Sequence, residues 1–128
     1  MKQNTIIITP LLEAKATFDR ALERVDINNE LERDGCIQRF EYCYELAWKM
    51  LKRFLKAKEI EVHGSRETFR EAAVVGYISD PEKWFDFIEM RNLTVHTYNV
   101  DVAKKIFEEL DDFQKALNEL VTNLQKHG

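Results

Sequence analysis

Apolar residues recur every three or four positions along most of the chain, which is the spacing of one face of an α-helix. The first run predicts a helix over residues 10–25, capped by Thr9 and opened by a first-turn proline. A second run begins at Leu31 or Asp34, continues to Lys58 and predicts one long helix.

Residues that typically start and end helices predict three further helices. The pair Gly64-Ser65 caps a short helix over residues 66–75, which Gly76 closes. The run Asp80-Pro81-Glu82 then supplies a cap, a first-turn proline and an acidic residue for the next helix. The last helix begins near Asp101 and has the clearest apolar stripe in the chain: Ala103, Ile106, Phe107, Leu110, Phe113, Leu117, Leu120, Val121 and Leu124.

Four long helices with short connections predict an all-α fold, an up-and-down four-helix bundle with an additional short helix packed across an end or a side. The length of 128 residues predicts a single domain over residues 1–128. Only four glycines and two prolines are present, and 33% of the residues are charged against 45% hydrophobic. This composition favours long helices and argues against disorder or a turn-rich β fold.

The second helix carries more apolar residues than a single stripe of about 100° can hold. Five of them suit the bundle core: Phe40, Tyr44, Ala47, Leu51 and Phe54. Cys36, Cys43, Trp48 and Met50 are left to face something else. One interpretation is a central helix buried on several sides. The other, which we favour, is a homodimer or partner interface, because each helix of a small bundle keeps an outward face.

The cysteines and the N-terminal residues bear on the cellular compartment. On one helix Cys36 and Cys43 lie about 10 Å apart, beyond the roughly 7 Å that a disulfide tolerates, so we expect reduced thiols in a cytoplasmic protein. A leader-like pattern at Lys2 and residues 6–8 is interrupted by a proline and by Glu13, so we expect no export. No segment approaches the roughly 18 apolar residues of a membrane span.

Charge and motif content exclude most familiar classes of activity. The 23 acidic and 19 basic residues are interspersed and give a net charge of −4, so any contact with RNA or DNA must be local. The sequence has no glycine-rich phosphate loop, no paired zinc-ligand signature and no Gly-x-Ser-x-Gly elbow. Cys36, Cys43 and His63 do not form a convincing ligand set, so we predict no metal site and no cofactor.

The segment from Arg91 to Tyr98, Arg-Asn-Leu-Thr-Val-His-Thr-Tyr, brings together groups that can handle a phosphate. Arginine binds phosphate bidentately, and histidine titrates near neutrality and can act as general base or acid. An asparagine amide can position a phosphate, and a tyrosine hydroxyl can donate or accept a hydrogen bond. Arg91 and His96 are therefore candidate catalytic residues for phosphodiester chemistry, and Asn92 and Tyr98 are candidate substrate-binding residues.

A single ideal helix through this segment would place Arg91 and His96 about 140° apart. Three β-branched residues between Arg91 and Tyr98 weaken helix propensity, so we expect the helix to end or bend there and to let Arg91 and His96 converge. In the alternative interpretation Arg91 pairs with a core acid and His96 caps a helix end. Glu41 and Glu45 are either such partners of Arg91 or solvated.

The sequence resembles the HEPN superfamily, which is defined by an Arg, four to six residues and then a His. It is most similar to the subgroup described both as minimal-nucleotidyltransferase substrate-binding proteins and as HEPN toxins of a toxin-antitoxin system. The matching residues extend over nearly the whole chain: Gln38-Arg39-Phe40-Glu41, Tyr44-Glu45-Leu46-Ala47-Trp48-Lys49, Leu51-Lys52, Gly64-Ser65, Gly76-Tyr77-Ile78, Trp84, Arg91-Asn92, His96-Thr97-Tyr98 and Ala103.

The resemblance implies a helical bundle, a homodimer that places two motifs in a shared cleft, and a nucleotidyltransferase partner encoded nearby. It also implies metal-independent RNA cleavage in some members and transfer of AMP by the partner to Tyr98. Our leading hypothesis is a cytoplasmic toxin-type endoribonuclease neutralised by a minimal nucleotidyltransferase. The alternatives are a non-catalytic nucleotide- or substrate-binding subunit of a two-component nucleotidyltransferase and a purely structural interaction module.

Overall fold

The computed structural model of the protein describes residues 6–127, so Lys2 of the leader-like pattern lies outside the described residues. Over this range the chain is helical and has no strand, which confirms the predicted all-α bundle. None of the helices in this range is both long enough and apolar enough to cross a membrane. The helices, in chain order, are α1 Thr9–Arg24, α2 Glu30–Ala57, α3 Ser65–Val75, α4 Pro81–Leu93, a 3₁₀ turn Thr94–His96, α5 Val100–Glu108 and α6 Leu110–His127.

Two of the predicted helix ends are confirmed and one is corrected. The Asp80 side chain accepts a hydrogen bond from the backbone N–H of Lys83 at 3.3 Å and caps α4. Gly76 closes α3 in the left-handed conformation, with φ of 92°. The predicted Thr9 cap is wrong, because α1 begins one residue earlier and Ile8 occupies the capping position without a side-chain hydrogen bond.

The predicted single last helix is divided at Glu109 into α5 and α6. The backbone N–H of Glu109 donates to the carbonyl of Ile106 at 3.0 Å, a bond three residues back that tightens the end of α5. The N–H of Phe113 returns to the carbonyl of Glu109 at 3.2 Å and starts α6. Because the chain turns here, α5 packs against α2 and α4, whereas α6 packs against α1 and α2 and reaches α4 through the ring of Phe113.

Helix α2 lies at the centre of the bundle and contacts all five other helices. Cys36, Cys43 and Met50 are consequently buried within their own chain, so the expectation that they face a partner is wrong. Trp48, the fourth residue of that group, is half-buried. The central helix buried on several sides is the correct interpretation for the other three residues.

An aromatic cluster fixes the register of α4 against α2. The ring of Phe113 on α6 lies 4.8 Å from Phe40 on α2, 5.1 Å from Phe87 on α4 and 5.6 Å from Phe18 on α1, with all three contacts edge-to-face. Such contacts contribute about 0.5–1.5 kcal/mol each beyond the burial of the rings. Because Phe87 lies one turn before Arg91, the cluster also determines which residues of α2 Arg91 faces.

Helices α2 and α3 both end in a Schellman motif, which requires a left-handed residue just after the helix. That residue is Gly76 after α3 but Glu59, with φ of 63°, after α2. A non-glycine residue in this conformation costs roughly 1–2 kcal/mol. We therefore expect Glu59→Gly to raise the free energy of unfolding by up to about 1 kcal/mol, and Gly76→Ala to lower it by about 1 kcal/mol, in urea denaturation.

The matched control for this pair is Glu59→Ala, which removes the exposed carboxylate but keeps the unfavourable conformation. Its free energy of unfolding should stay close to that of the unmodified chain. If Glu59→Gly were no more stable than Glu59→Ala, the conformational explanation would be wrong.

Candidate functional site

Helix α4 ends inside the segment from Arg91 to Tyr98, as predicted. Its last residue is Leu93, and the next three residues form a single 3₁₀ turn. The buried Thr94 hydroxyl lies 2.7 Å from the carbonyl oxygen of Arg91 and 3.0 Å from a carboxylate oxygen of Glu41. A hydroxyl that bonds back to the preceding turn competes with the helical hydrogen-bond ladder. Thr94 therefore both ends α4 and connects that end to α2.

Arg91 points from α4 towards α2, where two carboxylates hold it. Its Nε donates to Oε2 of Glu45 at 3.2 Å, and its Nη1 lies 3.4 Å from Oε2 of Glu41. Nη1 also donates to the Thr94 hydroxyl at 3.0 Å. Glu41 and Glu45 are one turn apart on α2, so both face α4. The interpretation in which Arg91 pairs with acidic residues is therefore correct, and both glutamates are its partners.

Two carboxylates and two cations make up the charge cluster around Arg91. One guanidinium between two carboxylates leaves a formal charge of −1 for these three groups, which the exposed Lys49, 3.9 Å from Oε1 of Glu45, offsets. Glu45 is held further by Trp48, whose indole N–H donates to Oε1 at 3.0 Å. About a third of each side chain in the two ion pairs is exposed, so each pair contributes on the order of 0–1 kcal/mol. Pairs this weak can exchange with an incoming anion.

His96 lies at the end of the 3₁₀ turn and is exposed. Its Nδ1 lies 3.1 Å from the hydroxyl of Tyr98, and the two rings meet edge-to-face with centroids 5.7 Å apart. The Tyr98 side chain is itself 81% exposed. The imidazole is bonded to a phenol rather than to a helix carbonyl, so the interpretation of His96 as a helix cap is wrong.

The bend in the segment does not join Arg91 to His96. Within the described residues no hydrogen bond connects the two, because Arg91 turns inwards to α2 while His96 projects outwards with Tyr98. Asn92 is exposed on the surface of α4 next to Arg91. The four predicted site residues therefore belong to one surface segment, but three of them form two separate groups, Arg91 with its carboxylates and His96 with Tyr98, and Asn92 belongs to neither.

An open depression of about 510 Å³ lies beside Arg91. Its floor combines carboxylates with half-buried apolar side chains, and the lining residues are Gln38, Glu41, Tyr42, Glu45, Leu46 and Arg91. The sequence did not predict that Tyr42 and Leu46 line this depression, or that Thr94 connects the end of α4 to Glu41 on α2. The signal available was the spacing of Glu41, Tyr42, Glu45 and Leu46, which places all four on neighbouring faces of α2.

The thiols and carboxylates elsewhere in the described residues do not form a second reactive site. Cys36 and Cys43 are free and buried, and burial raises the pKa of Cys43 to about 12, so its thiol stays protonated at neutral pH. Over residues 6–126 no three His, Cys, Asp or Glu side chains come together in a way that could hold a metal ion.

The chain is a helical bundle with an Arg-to-His segment at the end of one helix. Comparison with known families shows to which family a bundle of this class belongs. The chain belongs to the family described as "Nucleotidyltransferase substrate binding protein like", which it matches over residues 8–126. The resemblance to the HEPN superfamily and its minimal-nucleotidyltransferase substrate-binding subgroup is thereby confirmed.

Individual relatives agree with this assignment. The chain is 40% identical over 84 residues to a protein of Haemophilus influenzae named "Probable ribonuclease HepT"; the match covers 62% of this chain and only 58% of that relative's length. A solved structure from Haemophilus influenzae, described as a substrate-binding domain of a nucleotidyltransferase, superposes with a TM-score of 0.84 at 29% identity, covering 93% of this chain and 99% of the other. A crystal structure from Thermus thermophilus gives a TM-score of 0.81 at 33% identity, covering 89% and 98%.

Proposed function

We propose that this chain is a cytoplasmic, HEPN toxin-type endoribonuclease that needs no metal and is neutralised by a minimal nucleotidyltransferase partner. The observation that carries the proposal is the exposed His96–Tyr98 pair at the end of α4, in the same short segment as Arg91. The imidazole is exposed, and its position at a helix end leaves it open to a large substrate. The name of the Haemophilus influenzae ribonuclease relative supports the same activity.

The proposed reaction is transesterification within the RNA backbone. His96 takes the proton of a ribose 2′-hydroxyl, and the 2′-oxygen attacks the adjacent phosphorus. The bond from phosphorus to the 5′-oxygen breaks, and that oxygen takes up a proton from a general acid. The products are a 2′,3′-cyclic phosphate and a 5′-hydroxyl end. Arg91 stabilises the charge that develops on the phosphorane, and Asn92 orients the phosphate.

To stabilise the phosphorane, Arg91 must break at least part of its pairing with the two carboxylates. Its pairs with Glu41 and Glu45 are weak because the groups are partly exposed, whereas an arginine and a phosphate form a bidentate contact. The substrate phosphate therefore competes for the guanidinium. In the free protein the carboxylates keep Arg91 oriented towards the open depression.

One histidine cannot readily act as base and acid in the same step, so we propose a homodimer that supplies a second His96 to the shared site. Apolar side chains around the segment support such an interface. Val95 is 65% exposed in the 3₁₀ turn, and Tyr42, Leu46 and Trp48 are half-buried near Arg91. A second copy that covers this surface would also enclose the depression.

The homodimer leads to a test in solution. We expect sedimentation at micromolar concentration to give twice the chain mass of 15.2 kDa. Val95→Glu should shift the protein to the monomer, because a charge in an apolar interface is costly. Val74→Glu is the matched control, since Val74 is similarly exposed but lies on α3. A 15.2 kDa species for the unmodified chain without a partner would exclude the homodimer.

The test of the proposed activity is incubation with single-stranded RNA in the presence of excess chelator. We expect cleavage to continue and the new 3′ ends to carry a 2′,3′-cyclic phosphate, because an acid, a base and a cation suffice for this reaction. Cleavage that stops with chelator and returns with a divalent metal would show that the mechanism is wrong.

A second candidate function is a non-catalytic nucleotide- or substrate-binding subunit of a two-component nucleotidyltransferase. The observation in its favour is that Arg91 is bonded to Glu41 and Glu45 and shares no hydrogen bond with His96 in the described part of the chain. Both the family description and the 29%-identical structure refer to substrate binding. Binding of a nucleotide or RNA without any cleavage by the homodimer would favour this function.

A further inference from the structure

A second arginine, Arg66, lies near the proposed site and has no role in the proposed reaction. It belongs to the first turn of α3, and its guanidinium carbon lies 4.4 Å from the centre of the Phe85 ring on α4. This cation–π contact restricts the side chain, yet 51% of the side chain of Arg66 remains exposed. The guanidinium is therefore both held in place and open to solvent.

Two observations place Arg66 on the same side of the bundle as the segment that contains Arg91. Phe85, Glu89 and Asn92 follow one another at spacings of four and three residues, so they share one face of α4, with Asn92 about 10 Å along the helix from Phe85. Burial raises the pKa of Tyr44, and the positive charges of Arg91 and Arg66 both oppose this rise. Both positive charges therefore act on the same buried hydroxyl.

The present partners of Arg66 leave its hydrogen-bond donors available. Its ion pair with Glu89 is long, at 4.0 Å, and 71% of the Glu89 side chain is exposed. In the part of the chain that the structure describes, Arg66 donates no hydrogen bond, although a guanidinium has five N–H donors. An exposed pair of this kind contributes little to stability, so an anion can displace the carboxylate at small cost.

We propose that Arg66, held by Phe85, binds a backbone phosphate of single-stranded RNA that lies more than one nucleotide away from the phosphate cleaved at His96. This inference rests on the proposed ribonuclease function and adds a substrate-binding residue to it. The planar guanidinium matches phosphate geometry, and Phe85 orders the side chain before the RNA arrives. A chain with a net charge of −4 needs such local cations, because its overall field repels RNA.

The test measures how RNA binding depends on salt. The probe is a fluorescein-labelled, single-stranded 2′-O-methyl oligoadenylate, which cannot be cleaved because the 2′-oxygen is blocked. Each phosphate contact contributes about 0.7 to the slope of log K against log salt concentration for a single strand. We expect Arg66→Ala to make this slope less steep by about 0.7, whereas Arg70→Ala, an exposed arginine one turn along α3, should not change it.

Two further variants separate binding from packing. Arg66→Lys keeps the charge and should retain the slope, while Glu89→Gln removes the competing carboxylate and should increase the affinity for the probe. If Arg66 were purely structural, Arg66→Ala would leave the slope unchanged and Glu89→Gln would not increase the affinity for the probe. A wild-type slope in the Arg66→Ala dimer would overturn the proposal.

The proposal and the ribonuclease function can fail separately. If the unmodified protein cleaves RNA but Arg66→Ala binds the probe with an unchanged slope, the subsite is wrong and the ribonuclease stands. If the protein cleaves no RNA but its probe binding depends on Arg66 as described, the subsite stands and the ribonuclease is wrong. If the unmodified protein does not bind the probe, the subsite is excluded.

Discussion

Replacement of His96 by alanine should lower the rate of RNA cleavage by about 10²- to 10⁴-fold, the range that a general acid or base contributes. Because the His96 imidazole is exposed and its bond in the described part of the chain is to the Tyr98 hydroxyl, the free energy of unfolding should change by no more than about 0.5 kcal/mol. The matched control is His63→Ala. His63 is exposed in the connection between α2 and α3, so its removal should leave cleavage unchanged.

Arg91→Ala should lower the cleavage rate by at least about 10²-fold, because the charge that stabilises the phosphorane is lost. This variant also removes the guanidinium that lies between Glu41 and Glu45, so a second substitution is needed to separate catalysis from stability. Arg91→Lys keeps the charge but lacks the planar fork that contacts phosphate at two points. It should be folded and still cleave much more slowly than the unmodified chain.

Two results would contradict these roles. Unchanged cleavage in variants at both positions would remove Arg91 and His96 from the reaction and favour the substrate-binding subunit. A His96→Ala protein that melts well below the unmodified chain would instead indicate a structural role for the imidazole. Urea denaturation and a chelator-containing cleavage assay on the same preparations distinguish the two cases.

The sequence predicted those helix ends at which a particular residue type is needed. Asp80 and Pro81 start α4, and Gly76 supplies the left-handed conformation after α3. The break at Glu109 was missed because no glycine or proline marks it and the apolar stripe continues through it. That break depends on how α5 and α6 pack against different neighbours, which is a property of the assembled bundle.

The burial of Cys36, Cys43 and Met50 within their own chain was the less favoured of two interpretations, for a related reason. The apolar pattern of α2 shows that more than one face is covered but not what covers it. A neighbouring helix and a second copy of the chain demand the same residue types, so the pattern alone cannot choose between them. The number of helices around α2 decides the question, and that number depends on tertiary structure.

In the candidate site, too, the features close together in the sequence were predicted and the contacts between distant helices were not. Arg91, Asn92, His96 and Tyr98 were identified because they are close together in the sequence, and the end of α4 among them was predicted from β-branched residues. The pairing of Arg91 with Glu41 and Glu45 was left open, because it depends on the register between two helices far apart in the chain. The position of Arg66 over Phe85 depends on the packing of α3 against α4 and had no local signal.

The partner nucleotidyltransferase should transfer AMP to Tyr98. In this reaction the phenol oxygen attacks the α-phosphorus of ATP, the phenolic proton leaves, pyrophosphate departs and a tyrosyl-AMP ester forms. Tyr98 is suited to it because 81% of its side chain is exposed at the end of the segment, so a second protein can reach the hydroxyl. Intact-mass measurement after incubation with the cognate transferase, ATP and magnesium should show one or more added AMP units.

The modification should silence the ribonuclease through the contact between Tyr98 and His96. The Tyr98 hydroxyl lies 3.1 Å from Nδ1 of His96, so AMP attached to that oxygen places bulk and negative charge beside the imidazole. The new phosphate competes for Arg91 and repels the RNA backbone. Tyr98→Phe should abolish the mass increase, whereas Tyr42→Phe, a half-buried phenol in the nearby depression, should not. An unmodified protein, or AMP on another residue, would show that neutralisation does not act through Tyr98.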